Sequence, residues 1–195
     1  MKIILASGSP RRKELLGKLV KEFDIKISDF DEDIIKNTEN NPEALVKKLS
    51  LGKANDILSN LNKNDDFIII AADTIVCIND KILGKPLDKD DAKKMLKKLS
   101  GNIHFVLTGM TVIINKDKNL TKETVCSKST IYFKKITENE IIEYINTGEP
   151  LDKAGSYAIQ GIGNKFIEKY DGNFDSIVGL DTNQLKDILE KYGVL

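Results

Sequence analysis

The chain begins with an apolar strand that runs through a turn of small residues directly into a helix, and this feature constrains the fold most strongly. Residues 2–6 form the predicted strand, and Ser7, Gly8 and Ser9 form the turn. Ser9 followed by Pro10 predicts a helix start, because serine caps free N–H groups and proline has no N–H to leave unsatisfied. Anion sites are frequent where a strand feeds a helix through such a turn.

Two arginines, Arg11 and Arg12, stand in the first turn of this predicted helix. The N-terminus of a helix carries about half a positive charge, so each guanidinium there is unfavourable by ~0.3–1 kcal/mol unless an anion joins it. One interpretation is that a phosphate binds here, held by backbone N–H groups and by the two guanidinium forks. The other is that both arginines point to water. The local pattern leaves both interpretations open.

The rest of the chain alternates between apolar runs typical of strands and segments with helical spacing. This alternation predicts an α/β fold, with no internal repeat and no linker. Predicted strands cover 2–6, 24–28, 67–72, 104–115, 121–134, 157–159 and 166–170, and predicted helices cover 10–21, 42–61, 89–99, 137–146 and 183–191. The predicted seam between two lobes follows Pro86, with the last segments returning across it.

The composition argues against several classes of function. The 195 residues include 30 Lys and Arg and 30 Asp and Glu, so there is no overall field that favours nucleic acid or a membrane surface. From this charge balance we expect no nucleic-acid partner. We also expect no membrane partner and a cytoplasmic location, because no apolar run approaches the ~18 residues of a membrane helix. Cys77 and Cys126 lack Cys-x-x-Cys spacing and are predicted to be buried free thiols.

Asp73 is the second candidate site residue, because it directly follows the apolar run 67–72. A carboxylate that ends a buried strand lies where α/β sheets usually hold ligands, and it can bind Mg²⁺ or act as a base. The alternative is a strand-ending Asp that only caps the next turn. Two neighbouring candidates accompany Asp73. Thr74 directly follows Asp73, and Lys85 lies in the short loop 84–86, although a lysine in a loop is usually solvated.

Three further polar residues are candidates for the same site. Lys53 on the long helix and Glu32 in an acidic loop are each as consistent with a surface position as with a functional one. Gln160 lies in the glycine-rich segment 148–161 and offers both a donor and an acceptor, which suits the edge of a uracil or thymine ring.

The sequence lacks two common nucleotide-binding motifs and has only one histidine. The chain has no Gly-x-x-x-x-Gly-Lys-Ser/Thr sequence and no Gly-x-Gly-x-x-Gly after a strand, which argues against a P-loop ATPase or kinase. The only histidine, His104, opens an apolar segment and is predicted to be structural. Base catalysis is therefore expected from a carboxylate.

Segments 7–12, 71–76, 84–86 and 148–161, taken in order, resemble the Maf family across nearly the whole chain. The resemblance implies one Maf-like domain over 1–195, with a mixed twisted sheet, flanking helices and two lobes around a central cleft, similar to inosine triphosphate pyrophosphatase. If the chain has two lobes, the sequence itself predicts the seam near 86–88. The resemblance also implies a nucleoside triphosphate pyrophosphatase that requires a divalent cation, Mg²⁺ or Mn²⁺, and a homodimer.

Within the family, residues 152–161 resemble the branch that hydrolyses dTTP and UTP to the nucleoside monophosphate and pyrophosphate. Two positions depart from the family pattern. Ala158 stands where relatives usually have glycine, and Asp181 replaces a common proline and is expected to alter only a helix entry. The alternative function is a non-catalytic, nucleotide-binding regulator of cell division.

The resemblance also implies a role for each matching residue. Asp73 would be the catalytic proton acceptor, and Glu32 and Asp73 would bind the metal. The substrate-binding set would comprise Ser7, Arg11, Arg12, Lys53, Thr74, Lys85 and Gln160. Of these, Arg11, Thr74 and Gln160 would shape base selectivity, and the others would line the phosphate and metal site.

Overall fold

The computed structural model describes all residues, 1–195, and contains seven strands and seven α-helices. The strands are β1 (Lys2–Leu5), β2 (Asp24–Ile25), β3 (Phe67–Ile78), β4 (Lys81–Leu83), β5 (Ile103–Lys116), β6 (Asn119–Phe133) and β7 (Ile167–Asp171). The helices are α1 (Pro10–Gly17), α2 (Asp33–Lys36), α3 (Pro42–Ser59), α4 (Lys89–Leu99), α5 (Glu138–Asn146), α6 (Phe174–Val178) and α7 (Thr182–Lys191). Short 3-10 turns cover Glu149–Asp152, Ala154–Ser156 and Ile162–Phe166.

The strands form one mixed sheet in the order β2-β1-β3-β5-β6-β7, with β4 paired to β3. Strand β1 is parallel to both β2 and β3, whereas the β3–β4 and β6–β7 pairs are antiparallel. The predicted α/β class, with a mixed sheet and flanking helices, is confirmed. The similarity to inosine triphosphate pyrophosphatase and the cleft between two lobes stay predictions.

Close packing divides the chain into two compact units. The first comprises Met1–Asp73, Thr108–Ser127 and Gly179–Leu195, and the second comprises Thr74–Leu107 and Lys128–Val178. In the first unit, Ile4, Ile57 and Ile69 belong to a buried apolar cluster that joins α3 to strands β1 and β3. The predicted seam near 86–88 stays a prediction.

Strand β3 does not end at Asp73, as the apolar run predicts, but continues to Ile78. The residues after Asp73 are mostly β-branched, and the strand ends in a tight turn where Asn79 and Asp80 have φ of 48° and 59°. Positive φ at both central residues is the geometry of a two-residue hairpin. The carboxylate of Asp73 is tolerated inside a buried strand because it has an ionic partner from another element, described below.

Other differences from the predicted elements have local causes. Helix α1 ends at Gly17, short of the predicted residue 21, because glycine is a poor helix former. The predicted strand over 157–159 is wrong. Tyr157 itself is extended, with φ of −151° and ψ of 162°, but positive φ at Ser156 (62°) and Gly161 (134°) turns the chain on both sides, and residues 157–159 join no strand of the sheet.

Cys126 and Asp181 differ from what the sequence predicts, whereas Cys77 does not. Both cysteines are free, but only Cys77 is buried, whereas Cys126 is half-buried. Asp181 does more than alter a helix entry: it caps α7 and its carboxylate also accepts a hydrogen bond of 2.5 Å from Ser127 Oγ. None of the helices combines the length and the apolar character that crossing a membrane requires.

Candidate active site

The turn between β1 and α1 is organised by hydrogen bonds among its own residues. Ser9 caps the helix, since its hydroxyl accepts a bond of 3.5 Å from the backbone N–H of Arg12. The hydroxyl of Ser7 accepts bonds from Ser9 N (3.2 Å) and from a terminal guanidinium nitrogen of Arg12 (3.3 Å). The predicted helix start at Ser9 and Pro10 is confirmed.

The guanidinium of Arg12 is held in place rather than extended into water. Its Nε donates a hydrogen bond of 2.8 Å to the backbone carbonyl of Gly179, near the other end of the chain. Burial lowers the pKa of Arg12, and Arg11 adds to this effect, while Asp73 and Glu32 oppose it. The interpretation that both arginines merely point to water is therefore wrong for Arg12.

Lys53 joins two carboxylates that come from different parts of the first unit. Its Nζ lies 2.5 Å from Asp73 Oδ1 on β3 and 2.7 Å from Glu32 Oε1, just before α2. Lys36, one turn after Glu32, lies 2.5 Å from the second carboxylate oxygen, Oε2. We call Glu32, Lys53 and Asp73 the carboxylate–lysine cluster.

The electrostatics of this cluster keep Glu32 ionised. Burial alone would raise the pKa of Glu32, but the hydrogen bonds and charges of Lys36 and Lys53 outweigh it and lower the pKa to about 2. Burial alone would lower the pKa of Lys36, but the hydrogen bond and charge of Glu32, together with the charges of Asp73 and Asp33, raise it. At neutral pH the first unit thus holds charged groups of both signs within one small region.

The donor set fits a hard divalent cation. Glu32 and Asp73 supply carboxylate oxygens, and no group of three or more His, Cys, Asp or Glu side chains is arranged to hold a metal ion. Mg²⁺ is typically held by one or two carboxylates together with substrate phosphates and water, rather than by a complete protein cage. Two carboxylates beside the arginine-bearing turn therefore suit a cation that arrives with a phosphorylated ligand.

The structure brings together Ser7, Arg12, Glu32, Lys53 and Asp73, all in the first unit. Among the other predicted site residues, Arg11 is half-buried beside Arg12 on α1, whereas Thr74, Lys85 and Gln160 belong to the second unit.

Within the second unit, the loop that carries Lys85 is joined to the segment that carries Gln160. The carbonyl of Gly84 accepts a hydrogen bond of 3.0 Å from Gly155 N. Gly155 has φ of 67°, and a Cβ there would lie 2.9 Å from the Val76 side chain. The hydrogen bond thus joins segment 84–86 to segment 148–161, two of the segments that carry the family resemblance.

Sequence reasoning missed Glu149, which fixes the turn around Gln160. Its carboxylate accepts hydrogen bonds from the Tyr144 hydroxyl (2.7 Å), Ile162 N (3.0 Å) and Gly163 N (3.0 Å). It also missed Lys36, although the i,i+4 spacing from Glu32 is a detectable signal for an ion pair. No local pattern marks Glu149, because its partners lie in separate segments.

His104 is structural, as its apolar context predicts. It is fully buried in the second unit, its Nε2 lies 2.7 Å from the Tyr157 hydroxyl, and its ring packs edge-on against Phe133 at 5.0 Å. Burial lowers its pKa to about 4, so the imidazole is neutral at pH 7.

The turn between β1 and α1 carries cationic side chains, and two carboxylates bridged by Lys53 lie beside it. This arrangement is typical of sites that bind phosphorylated ligands. Residues 2–192 match the model of the family described as Maf-like protein, so the chain belongs to the Maf family, and the predicted membership is confirmed.

Three relatives, each named dTTP/UTP pyrophosphatase, cover nearly the whole chain. The protein from Clostridium botulinum (strain Alaska E43 / Type E3) is 49% identical over 191 residues, 98% of this chain and 99% of the relative. The protein from Clostridium beijerinckii is 48% identical over the same shares of the two chains. The protein from Clostridium novyi is 44% identical over 194 residues, 100% of this chain and 99% of the relative.

Proposed function

We propose that this chain is a nucleoside triphosphate pyrophosphatase that hydrolyses dTTP and UTP to the nucleoside monophosphate and pyrophosphate. The observation that carries the proposal is the carboxylate–lysine cluster beside Arg12, since it combines phosphate-binding cations with two carboxylates. The names and near-complete coverage of the relatives support the substrates.

Arg12 and Ser7 bind phosphate oxygens in this proposal. Arg12 is held by the Gly179 carbonyl through Nε, so its guanidinium plane is fixed before any ligand arrives. A fixed guanidinium loses little conformational freedom when it binds an oxyanion, which favours it over a flexible lysine at this position.

Glu32 and Asp73 hold the divalent cation, Mg²⁺ or Mn²⁺. When bound, this ion supplies positive charge that neutralises the triphosphate and stabilises the leaving group. Lys53 bridges both carboxylates in the structure, so a divalent ion has to compete with its ammonium. Once released from the carboxylates, that ammonium is free to contact phosphate oxygens.

Asp73 orients and deprotonates the attacking water. The water oxygen forms a bond to the α-phosphorus, its proton passes to the Asp73 carboxylate, and the bond between the α-phosphorus and the bridging oxygen breaks. Pyrophosphate then leaves with the electron pair of that bond. Such transfers depend mainly on positioning and on stabilising charge, so no covalent intermediate with the protein is needed.

The remaining assignments rest on the family resemblance. Lys85 contacts phosphate, and Arg11, Thr74 and Gln160 select the base. The homodimer and the cytoplasmic location likewise stay predictions from sequence.

A panel of nucleoside triphosphates tests the proposal. Purified protein is incubated with dTTP, UTP, dCTP, dGTP or 7-methyl-GTP and with Mg²⁺ or Mn²⁺, and monophosphate and pyrophosphate are measured by ion-exchange chromatography. We expect turnover of dTTP and UTP in excess of the others, with equal amounts of the two products. Nucleotide binding without turnover would overturn the proposal in favour of the non-catalytic regulator.

A further inference from the structure

The segment that carries Glu32 is anchored to α3 at its first residues. The carboxylate oxygen Oδ2 of Asp56 accepts hydrogen bonds from Ser28 Oγ (2.8 Å) and from Asp29 N (2.9 Å). The Ser28 hydroxyl in turn accepts a bond of 3.1 Å from Phe30 N. These bonds fix the backbone of residues 28–30 on the surface of the helix.

The ring of Phe30 fills a space on α3 that exists only because residue 52 is glycine. A Cβ at Gly52 would lie 2.5 Å from both Cε1 and Cζ of the ring and 2.9 Å from Cδ1. Glycine is unfavourable in a helix interior, and Gly52 lies well inside Pro42–Ser59. The close approach of the aromatic ring gives a packing reason for a residue that helix propensity disfavours.

Both residues of this contact lie next to members of the carboxylate–lysine cluster in the sequence. Gly52 directly precedes Lys53, and Phe30 precedes Glu32 by two residues. The ring is thus held on the helix two residues before Glu32, whose Oε1 lies 2.7 Å from Lys53 Nζ.

We propose that Phe30 and Gly52 are a size-matched pair that positions Glu32, with Asp56 anchoring the other end of the same segment. Both are positioning residues, since they act through Glu32 and not on the substrate. The inference rests on the proposed function, in which Glu32 holds the divalent cation.

The test compares two glycine substitutions in helices of the first unit. Gly52→Ala places a methyl against the Phe30 ring, whereas Gly17→Ala adds a methyl that meets nothing within 4 Å. Both gain helix propensity, which in Gly52→Ala partly offsets the cost of displacing the Phe30 ring. We expect Gly52→Ala to lower both dTTP turnover and affinity for Mn²⁺ about 10-fold or more, as changes to groups that orient metal ligands do. We expect Gly17→Ala to stay within about twofold of the parent, since its methyl contacts nothing and displaces no residue of the site.

Mn²⁺ affinity is measured by electron paramagnetic resonance, with α,β-imido-dUTP present as a non-hydrolysable nucleotide. Amide hydrogen exchange of the unliganded protein gives a second readout, because it needs neither metal nor substrate. In Gly52→Ala the amides of residues 29–32 should exchange faster than in the parent, and Asp56→Asn should have the same effect on that segment.

Rescue by a second substitution distinguishes positioning from general damage. Phe30→Val removes the three ring atoms that the new methyl would meet, so Gly52→Ala with Phe30→Val should recover slow exchange, Mn²⁺ affinity and most of the turnover. Unchanged exchange in Gly52→Ala, or a double variant no better than the single one, would overturn the inference. A parent protein that leaves dTTP and UTP intact would instead overturn the proposed function, and the exchange data would still decide whether the pair holds the segment.

Discussion

The ion pairs of Glu32 predict a specific loss of stability in acid. The pKa of Glu32 is about 2 in the folded protein, against an ordinary value of 4.5. A group whose pKa is lower when folded stabilises the protein above its unfolded pKa, and that contribution is lost as the pH falls toward the folded value. The window for Glu32 is therefore about pH 4.5 down to about pH 2.

The size of this contribution follows from the same two values. A difference of about 2.5 in pKa corresponds to at most about 3.4 kcal/mol, since each pKa unit is worth about 1.36 kcal/mol. The Glu32 side chain is 31% exposed and its partner Lys36 is 47% exposed, so solvent screening reduces the contribution. We expect roughly 1–2 kcal/mol of unfolding free energy to depend on ionised Glu32.

Urea unfolding of the parent and of Glu32→Gln at pH 7 and at pH 2.5 measures this quantity. The difference between the two proteins should be about 1–2 kcal/mol at pH 7 and should shrink by most of that amount at pH 2.5. The matched control is Glu43→Gln, which alters an exposed pair with Lys47 at 2.6 Å and should change stability by less than about 0.5 kcal/mol. An equal difference between parent and Glu32→Gln at both pH values would refute the reasoning.

Three further predictions concern the reaction and the second unit. Asp73→Asn should lower kcat for dTTP by about 100-fold or more, since a positioned base contributes that much, and full activity would show that another group accepts the proton. Arg12→Lys keeps the charge but loses the bond from Nε to Gly179, so KM for dTTP should rise about 10-fold, and an unchanged KM would argue against a phosphate contact. His104 has a folded pKa of about 4 against 6.5 unfolded, so neutral His104 contributes stability that is lost as the pH falls from 6.5 toward 4. The melting temperature of His104→Gln should therefore fall less than that of the parent over this range, and parallel curves would contradict the assignment.

Local signals in the sequence predicted the elements whose stabilising contacts are themselves local. Helix α5 begins where Thr137 and Glu140 predict a capping box, and both bonds of that box are present. The hairpin at Asn79 and Asp80 likewise follows from residues that tolerate positive φ. Such elements depend on neighbours within a few residues, so a single sequence contains what is needed.

Elements that depend on distant partners were predicted less well. The continuation of β3 through Asp73 depends on the ammonium of Lys53, which lies 20 residues earlier in the sequence. Residues 157–159 were predicted as a strand, but the chain turns at positive φ just before them, at Ser156, which apolar patterning does not reveal.

The candidate site also combines residues that the sequence predicted with contacts that it could not predict. Arg12 and Asp73 lie in short segments that carry the family resemblance, whereas Glu32 and Lys53 lie outside those segments and were assigned to the site only through what the resemblance implies. The contact between Phe30 and Gly52 could not be predicted, since it depends on how closely a loop approaches a helix that begins 12 residues later in the sequence.

The bond from Arg12 to the carbonyl of Gly179 has a consequence for the order in which the protein matures. These residues are 167 positions apart, so the acceptor is synthesised long after Arg12. A growing chain that has released its first 170 residues already contains Ser7, Glu32, Lys53 and Asp73, but its Arg12 has not yet met the carbonyl that fixes the guanidinium plane. The site as described thus requires the chain as far as Gly179, and a product terminated just before Gly179 would carry the named charged residues without the orientation of Arg12.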